Sequence, residues 1–258
     1  MRLHAQSAPP TPQHTDIEDF TRFEFKYVMH NDQVQEVEPD IRHFMAADGH
    51  TDEAYEGGYL VRSLYFDTPR RENFYAKIDG IKARRKYRLR TYSMGVAPEV
   101  PIFLEEKNRI NNRVFKYRTE LTPNDLSTLE STDGPTALFD RYSDNPLISR
   151  FVAKLLQTNE EPVVLVQYLR RAFVSNYDID FRVTFDSKLH TAPSQSLFGK
   201  SEANLFACVA GYTILEVKFK RRIPSWFHRL VQSYQLRRVS ISKYCEGMIT
   251  SGLAVDLS

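Results

Sequence analysis

The chain has 258 residues and carries 35 Lys and Arg against 33 Asp and Glu, so its formal net charge is only +2. This near balance excludes nucleic-acid binding through bulk positive charge, and an anion site must therefore arise from a local arrangement of cations. A hydrophobic content of 41% is typical of a soluble globular protein. The sequence contains no run of about 18 apolar residues, so it predicts no membrane-spanning helix.

The ends and the composition of the chain predict its domain organisation. Residues 1–15 are rich in Pro, Gln and Thr, and we expect them to be disordered. Because residues 16–258 contain no repeat and no linker, we expect one domain there. The N-terminus lacks the apolar core of a signal peptide, and Cys208 and Cys245 form neither metal-ligand spacing nor a disulfide framework. We therefore expect a cytoplasmic protein.

The first predicted strand covers residues 21–28, where charged and aromatic residues alternate. Arg22, Glu24 and Lys26 fall on one face and the aromatic side chains on the other. A helix is predicted within residues 32–47, and Pro39 is expected to kink or restart it. Residues 59–67 then form a second predicted strand.

Residues 82–90 read KARRKYRLR and predict an unusual strand. Successive side chains of a strand point to opposite faces, so one face collects Lys82, Arg84, Lys86, Arg88 and Arg90. Five cations in a row repel one another unless an anion lies beside them or water screens them. The alternative is a solvated edge strand whose charges prevent aggregation.

Later segments repeat this alternation of an apolar and a charged face. Predicted strands cover residues 102–107, 113–121, 163–175, 180–185 and 213–220, residues 187–210 are expected to be irregular, and predicted helices cover residues 146–157 and part of 240–249. If the strands close into a barrel with the helices outside, the charged faces line its interior, the reverse of an ordinary barrel. The interior would hold Arg22, Lys26, Arg84, Arg88, Arg90, Lys107, Lys116, Arg170, Arg182 and Lys218, with Glu24, Glu105, Glu120 and Glu216 interleaved.

Such an interior requires counter-charge, because each buried unpaired cation costs several kcal/mol. A polyphosphate matches the forks of Arg and the point charges of Lys. The carboxylates suit Mg²⁺ or Mn²⁺, which prefer oxygen ligands and bridge to phosphate oxygens. The alternative is an antiparallel sheet with one solvated face, which also alternates polar and apolar residues.

Several motifs resemble, in their order along residues 20–249, the VTC (vacuolar transporter chaperone) polyphosphate polymerase domain of the triphosphate tunnel metalloenzyme (CYTH-like) superfamily. They are RFEFKY at 22–27, SLYFDTP at 63–69, RLRTY at 88–92, FLEEK at 103–107, YLRRAF at 168–173, RVTFD at 182–186, LEVKFK at 215–220 and SISKY at 240–244. The resemblance implies an α+β fold with a closed antiparallel eight-stranded β tunnel, a cationic interior and helices packed outside. It implies transfer of the terminal phosphate of ATP to a growing polyphosphate chain, with Mn²⁺ or Mg²⁺ as cofactor.

The resemblance also implies roles for individual residues. The catalytic candidates are Lys26, Arg88, Arg90, Lys107, Arg170 and Arg182, and the further phosphate-binding candidates are Arg22, Arg84, Lys116, Tyr168, Lys218, Ser242 and Lys243. Glu216 matches the metal-binding glutamate of the L-E-V-K motif, and Glu24 is a second candidate ligand that an ion pair with a neighbour would equally explain. Lys82 and Lys86 are expected nearer the tunnel mouth, where they steer polyanions.

One position departs from the superfamily's pattern. Hydrolytic members begin with E-x-E-x-K, whereas Arg22 stands here in place of the first glutamate. Losing that carboxylate weakens a two-metal site that activates water, so polymerisation is favoured over hydrolysis. A metal-dependent triphosphatase or polyphosphatase and a non-catalytic polyphosphate or nucleotide sensor remain the alternatives. The expected partners are ATP and polyphosphate, with no nucleic acid and no membrane span in the chain itself, and a membrane or oligomeric partner is left open.

Overall fold

The computed structural model describes residues 16–18, 23–49, 52–97, 99–111, 113–131, 133–177, 180–199 and 204–256. The predicted disordered segment 1–15 and the candidate Arg22 lie outside the described residues. The strands are β1 (Asp16–Glu18), β2 (Phe23–His30), β3 (Met45–Ala47), β4 (Tyr59–Asp67), β5 (Ala83–Thr91), β6 (Ile102–Ile110), β7 (Arg113–Leu121), β8 (Glu161–Ser175), β9 (Arg182–Pro193), β10 (Phe206–Ala207) and β11 (Tyr212–Phe219). The helices are α1 (Asn31–Phe44), α2 (Glu72–Ile78), α3 (Pro123–Leu129), α4 (Gly134–Arg141), α5 (Pro146–Thr158), α6 (Ser225–Ser233) and α7 (Lys243–Thr250).

The strands form one 11-stranded antiparallel sheet, which confirms the α+β class with helices on a large antiparallel sheet. Its order is β1-β7-β6-β5-β4-β8-β9-β11-β2, while β10 adds to β9 and β3 adds to β8. Eight of these strands are eight or more residues long. Strands β4 to β7 pair successively along the chain, and the connection through α3, α4 and α5 then brings β8 back to the free edge of β4, where β9 pairs with it in turn.

The predicted closed barrel is not found among the described residues, where the sheet order ends at β2 without a ladder from β2 to β7. The physical reason is that each outer edge already has another partner. β1 pairs with β7 through Lys116 to Arg118. On β2, Tyr27 forms a bridge with Arg238, and the amide of Val239 donates to the carbonyl of Lys26 at 2.8 Å.

Side chains nevertheless bring the two ends of the sheet together. Lys107 Nζ of β6 lies 3.3 Å from Glu24 Oε2 of β2, although five strands separate β6 from β2 in the sheet order. The sheet is therefore curled so that its inner faces look at one another. The right-handed twist of neighbouring strands favours such curling in a large antiparallel sheet.

Helices cover the apolar outer face of the curled sheet, as the alternation predicted. Val37 of α1 and Phe227 of α6 pack with Val217 of β11 in one core cluster. Phe151 of α5 packs with Leu104 of β6 in a second cluster, together with residues of α3 and α4. Each of these buried side chains stabilises the fold by about 1.5–3 kcal/mol. With the apolar faces covered, the polar faces of the strands point inward.

Two local predictions are wrong. Of the kink or restart predicted at Pro39, the restart is wrong: helix α1 continues through Pro39, because Pro39 and Gln35 are both exposed and the carbonyl that loses its amide partner can bind water. Residues 187–193 are not irregular, since they extend β9 along β8. The β8–β9 ladder contains a register shift between Gln167 and Leu169, and Lys188, on β9, adopts a φ of 50°. The short helix α4 was not predicted at all.

Candidate functional site

The curled sheet encloses a cavity of about 730 Å³. All eight long strands contribute side chains to its wall, and α7 contributes Lys243 and Tyr244. Because successive side chains of a strand point to opposite faces, the lining residues of β5 and β7 recur at every second position, while their neighbours point away from the cavity. The polar interior predicted from the sequence is therefore present, although the hydrogen-bonded barrel around it is not closed.

Positive charge dominates the wall of this cavity. Eleven cations line it among the described residues: Lys26, Lys86, Arg88, Arg90, Lys107, Lys116, Arg118, Arg170, Arg182, Lys218 and Lys243. The carboxylates of Glu24 and Glu216 also line it, and three more, Glu105, Asp186 and Asp48, pair with the lining cations. Among the residues whose side chains the structure describes, eleven cations against five carboxylates leave an excess of six positive charges.

Glu105 is the centre of the first group of ion pairs. It is 1% exposed and contacts four cations: Arg88 Nη2 at 2.5 Å, Lys116 Nζ at 3.0 Å, Arg90 Nη1 at 3.9 Å and Arg118. Burial raises the pKa of Glu105, but Arg88 and Arg90 together with the other two cations hold that pKa well below its usual range. The ionised carboxylate therefore orders the guanidinium groups around the cavity.

Asp186 and Glu216 are the centre of a second group. Arg170 binds Asp186 through two hydrogen bonds, of 2.6 and 2.7 Å, and Lys243 Nζ lies 2.6 Å from the same carboxylate. Glu216 lies 3.2 Å from Lys218 Nζ but 3.6 Å from Lys243 Nζ and 3.7 Å from Arg170 Nη2. Burial lowers the pKa of Lys243, but Asp186 and Glu216 raise it above the usual value. This lysine is therefore a fixed positive charge.

Glu24 lies beside two lysines, with Lys26 Nζ at 3.2 Å and Lys107 Nζ at 3.3 Å. Burial and the charge of Glu216 raise the pKa of Glu24, but Lys107, Lys26 and Lys218 outweigh them and lower it to about 2. Glu24 and Glu216 are thus ionised and close enough to interact. Their oxygen donors fit Mg²⁺ or Mn²⁺, since such ions take one or two carboxylates and complete their coordination with phosphate oxygens and water.

The metal-ligating side chains are nonetheless few. Within the described ranges, no group of three or more His, Cys, Asp or Glu residues is arranged to hold a metal ion. The two glutamates therefore fit an ion that is held jointly with a phosphate-bearing substrate, rather than a closed structural site.

The structure brings most of the predicted site residues to one place. Lys26, Arg88, Arg90, Lys107, Lys116, Tyr168, Arg170, Arg182, Lys218, Ser242, Lys243, Glu24 and Glu216 all line the cavity. Arg84 does not, because its guanidinium lies at the start of β5 and donates to the carbonyl of Ala76 in α2 at 3.3 Å. Lys86, expected nearer the mouth, also lines the wall, with its Nζ 4.0 Å from the centre of the Tyr244 ring.

Some residues of the site were absent from the candidates. Arg118 follows Lys116 by two positions and Asp186 follows Arg182 by four, so the alternation of β7 and β9 already put both on the inner face. Glu120, expected inside, is exposed. Four lining tyrosines, Tyr59, Tyr65, Tyr92 and Tyr244, gave no sequence signal, because buried aromatic residues usually belong to a core.

The fold and the site define an α+β protein whose curled antiparallel sheet surrounds a strongly cationic cavity. The profile of the VTC domain matches residues 21–251, which is most of the chain, and the chain belongs to this family. A search of curated protein sequences gave no match.

Solved structures are similar to this chain at low sequence identity. A putative adenylyl cyclase from Hippeastrum, described as having a dominant triphosphatase activity, is 12% identical with a TM-score of 0.50 and covers 90% of this chain and 97% of its own. A putative adenylate cyclase from Bacillus halodurans is 11% identical with a TM-score of 0.49 and covers 86% of this chain and 94% of its own. At this identity the similarity to the Hippeastrum protein shows the fold alone.

No helix in the described part of the chain is both long and apolar enough to span a bilayer.

Proposed function

We propose that the protein is a polyphosphate polymerase that transfers the γ-phosphate of ATP to a growing polyphosphate chain. The excess of six positive charges that the described side chains place around one cavity is the observation that carries this proposal. Uncompensated buried cations each cost several kcal/mol, so the cavity is suited to a ligand with many negative charges along its length. Membership of the VTC family supports a polyphosphate or nucleoside triphosphate as that ligand.

In this proposal the two groups of ion pairs hold the phosphates. Glu105 positions Arg88 and Arg90, and Asp186 positions Arg170. The guanidinium forks of these arginines match phosphate oxygens. Lys26, Lys107 and Lys243 add point charges. Phosphoryl transfer needs positioning and charge neutralisation more than covalent chemistry from the protein, and these groups are already ordered before a ligand arrives.

The transfer step conserves the high-energy phosphate linkage. A terminal oxygen of the acceptor chain forms a bond to the γ-phosphorus of ATP, and the bond from that phosphorus to the bridging oxygen of the β-phosphate breaks. ADP leaves with the bridging oxygen, and the acceptor is longer by one phosphate. A divalent ion held by Glu216 and Glu24 would supply charge neutralisation on phosphate oxygens. The arginines and lysines hold donor and acceptor in line and disperse the remaining negative charge.

A hydrolase with the same cavity is the second candidate. Arg22 stands where hydrolytic members of the superfamily have a glutamate, and the carboxylates that line the cavity among the described residues are only Glu24 and Glu216. Both observations favour transfer to a phosphate acceptor over activation of water by two metal ions.

Incubation of the purified protein with ATP and Mn²⁺, followed by gel electrophoresis of the products, separates the candidate functions. The proposal predicts a ladder of long polyphosphate chains together with ADP. Free phosphate with ADP and no chains would instead show a hydrolase. Tight polyphosphate binding without turnover would show a sensor.

A single substitution tests the role of Glu216. We expect Glu216→Gln to abolish metal-dependent turnover, because it removes a carboxylate ligand while the cations around it remain. Tripolyphosphate binding, measured by calorimetry without metal, should persist. The matched control is Glu56→Gln, an exposed carboxylate paired with Lys188, which should leave turnover unchanged. Full activity of the Glu216→Gln protein would show that this glutamate holds no metal.

A further inference from the structure

A second concentration of positive charge lies outside the cavity, in the chain that follows β11. Residues 218–238, here called the basic segment, contain seven Lys and Arg and no Asp or Glu, within a chain whose net charge is only +2. The segment comprises the end of β11, the helix α6 and the turn after it. Its charged residues are Lys218, Lys220, Arg221, Arg222, Arg229, Arg237 and Arg238.

Most of these charges are solvent-exposed and unpaired. All of them except Lys218 are exposed to solvent. Lys220 pairs with Asp180 at 2.9 Å, whereas Arg221, Arg222, Arg229 and Arg237 form no ion pair within the described part of the chain. A surface normally mixes charges of both signs, so a run of unpaired arginines creates a local positive field that attracts polyanions.

The basic segment is continuous with the cavity. Lys218 lines the cavity wall and comes three residues before Arg221. At the other end of the segment, Arg238 forms a bridge with Tyr27, next to the cavity residue Lys26. Arg221 and Arg222 therefore follow the end of β11 that pairs with the start of β2, and Arg238 lies against the outer edge of β2.

The chemistry of the segment selects among polyanions. The apolar side chains Phe227 and Leu230 of α6 are already buried in the core, so α6 has no free apolar face to insert into a lipid bilayer. Trp226 stacks on Phe44 with ring centres 4.6 Å apart and is not available to stack on nucleic-acid bases, which is how single strands are usually held. A polyanion without bases or acyl chains fits what remains.

We propose that the basic segment is an external binding site for the part of a polyphosphate chain that extends beyond the cavity. The proposal rests on the proposed function for the identity of the ligand. Because the cavity is about 730 Å³, a long chain must leave it, and its emerging phosphates require cations. Contact with the segment holds a long chain more tightly than a short one, since each additional phosphate contact adds to the total affinity.

The test compares long-chain polyphosphate with tripolyphosphate, which is short enough to stay in the cavity. The variant carries Arg221→Gln, Arg222→Gln, Arg229→Gln and Arg237→Gln, all outside the cavity wall. We expect its affinity for the long chain to fall on the order of tenfold and its salt dependence to weaken, with tripolyphosphate affinity unchanged. The control is Arg70→Gln with Lys188→Gln, two exposed cations elsewhere, which should bind both ligands as the unmodified protein does.

Unchanged long-chain affinity in the fourfold variant would overturn the proposal. Loss of binding to phosphatidylserine vesicles or to duplex DNA, with long-chain polyphosphate binding intact, would overturn it in favour of those partners. Circular dichroism and thermal unfolding establish that the variants are folded. Failure of the unmodified protein to bind tripolyphosphate would count against the proposed function and is separate from the arginine result.

Discussion

Glu105 and Glu106 are adjacent in β6, and both are almost completely buried, with exposures of 1% and 0%. They point to opposite faces of the sheet. Glu105 points toward the cavity and contacts four cations. Glu106 points outward and binds Arg85 at 3.0 Å and Arg150 at 2.7 Å.

The difference between the two glutamates separates a structural ion pair from a ligand site. Arg150 belongs to α5, so Glu106 ties a helix to the sheet, and Tyr87 and Asn108 donate hydrogen bonds to its Oε1. Glu105 is instead contacted by four mostly buried cations, whereas the two arginines that bind Glu106 are 45% and 35% exposed and can be solvated by water. The outward face of β6 therefore needs no ligand, while the inward face retains positive charge for an anion.

The largest expected effect comes from removing each carboxylate in turn. We expect Glu105→Gln to lower the free energy of unfolding by about 3 kcal/mol, because mostly buried cations lose their partner. Glu106→Gln should lower it by less, because water can solvate Arg85 and Arg150, which are 45% and 35% exposed. Saturating tripolyphosphate should restore much of this stability in Glu105→Gln, since it neutralises the same cations, and should add no more to Glu106→Gln than to the unmodified protein. Denaturant unfolding with and without ligand measures both. Equal rescue of the two variants would erase the distinction between the faces.

The next effect is a dependence of anion binding on pH. Burial, with weaker opposing contributions from Cys245 and Tyr65, lowers the pKa of Lys86 to about 8. Burial lowers the pKa of Lys116 to about 8 as well, although Glu105 raises it. Within the described residues, Lys86 forms no ion pair with a carboxylate and contacts the Tyr244 ring instead. A bound anion favours the protonated forms, so affinity is fully present below pH 8 and is lost as pH rises through it.

We therefore expect tripolyphosphate affinity to fall between about pH 7 and about pH 9 by about tenfold for each of the two lysines. The Lys86→Arg protein keeps a positive charge at this position over the whole range. Its affinity should therefore fall only by the tenfold that is due to Lys116. Calorimetry at several pH values measures the difference between the proteins, which cancels the titration of the ligand itself. Parallel curves for the two proteins would show that Lys86 does not contact the anion.

The smallest effect is expected at an ion pair far from both faces of β6. Lys188 and Glu56 lie 2.6 Å apart with side chains 55% and 59% exposed. We expect Lys188→Ala to change the free energy of unfolding by less than about 0.5 kcal/mol, with unchanged tripolyphosphate affinity. A change as large as that of Glu105→Gln, measured by denaturant unfolding, would mean that burial does not govern the strength of these ion pairs.

Much of the site follows from alternation along single strands. The pattern in β5 and β6 put Arg88, Arg90, Glu105 and Lys107 on one face, and the structure places them around the cavity or against its lining cations. The same rule sends Glu106 outward. Such faces depend only on the two-residue period of a strand, so they are readable without any knowledge of the neighbouring strands.

What the sequence did not predict depends on contacts between distant segments. Arg84 falls on the same face of β5 as Arg88 and Arg90, but it lies next to α2, where the carbonyl of Ala76 accepts its hydrogen bond. The sheet stays open between β7 and β2 because β1 pairs with β7 and Val239 binds β2. Both pairings join segments that are far apart in the sequence. Local propensity contains no information about either arrangement.

Calorimetric titration of tripolyphosphate into the unmodified protein tests the central claim most directly, namely that the cavity carries unneutralised positive charge for a polyanion. We predict one bound equivalent per chain, with an affinity that falls steeply as salt concentration rises. Absence of binding at low salt, or binding that is indifferent to salt, would contradict the account.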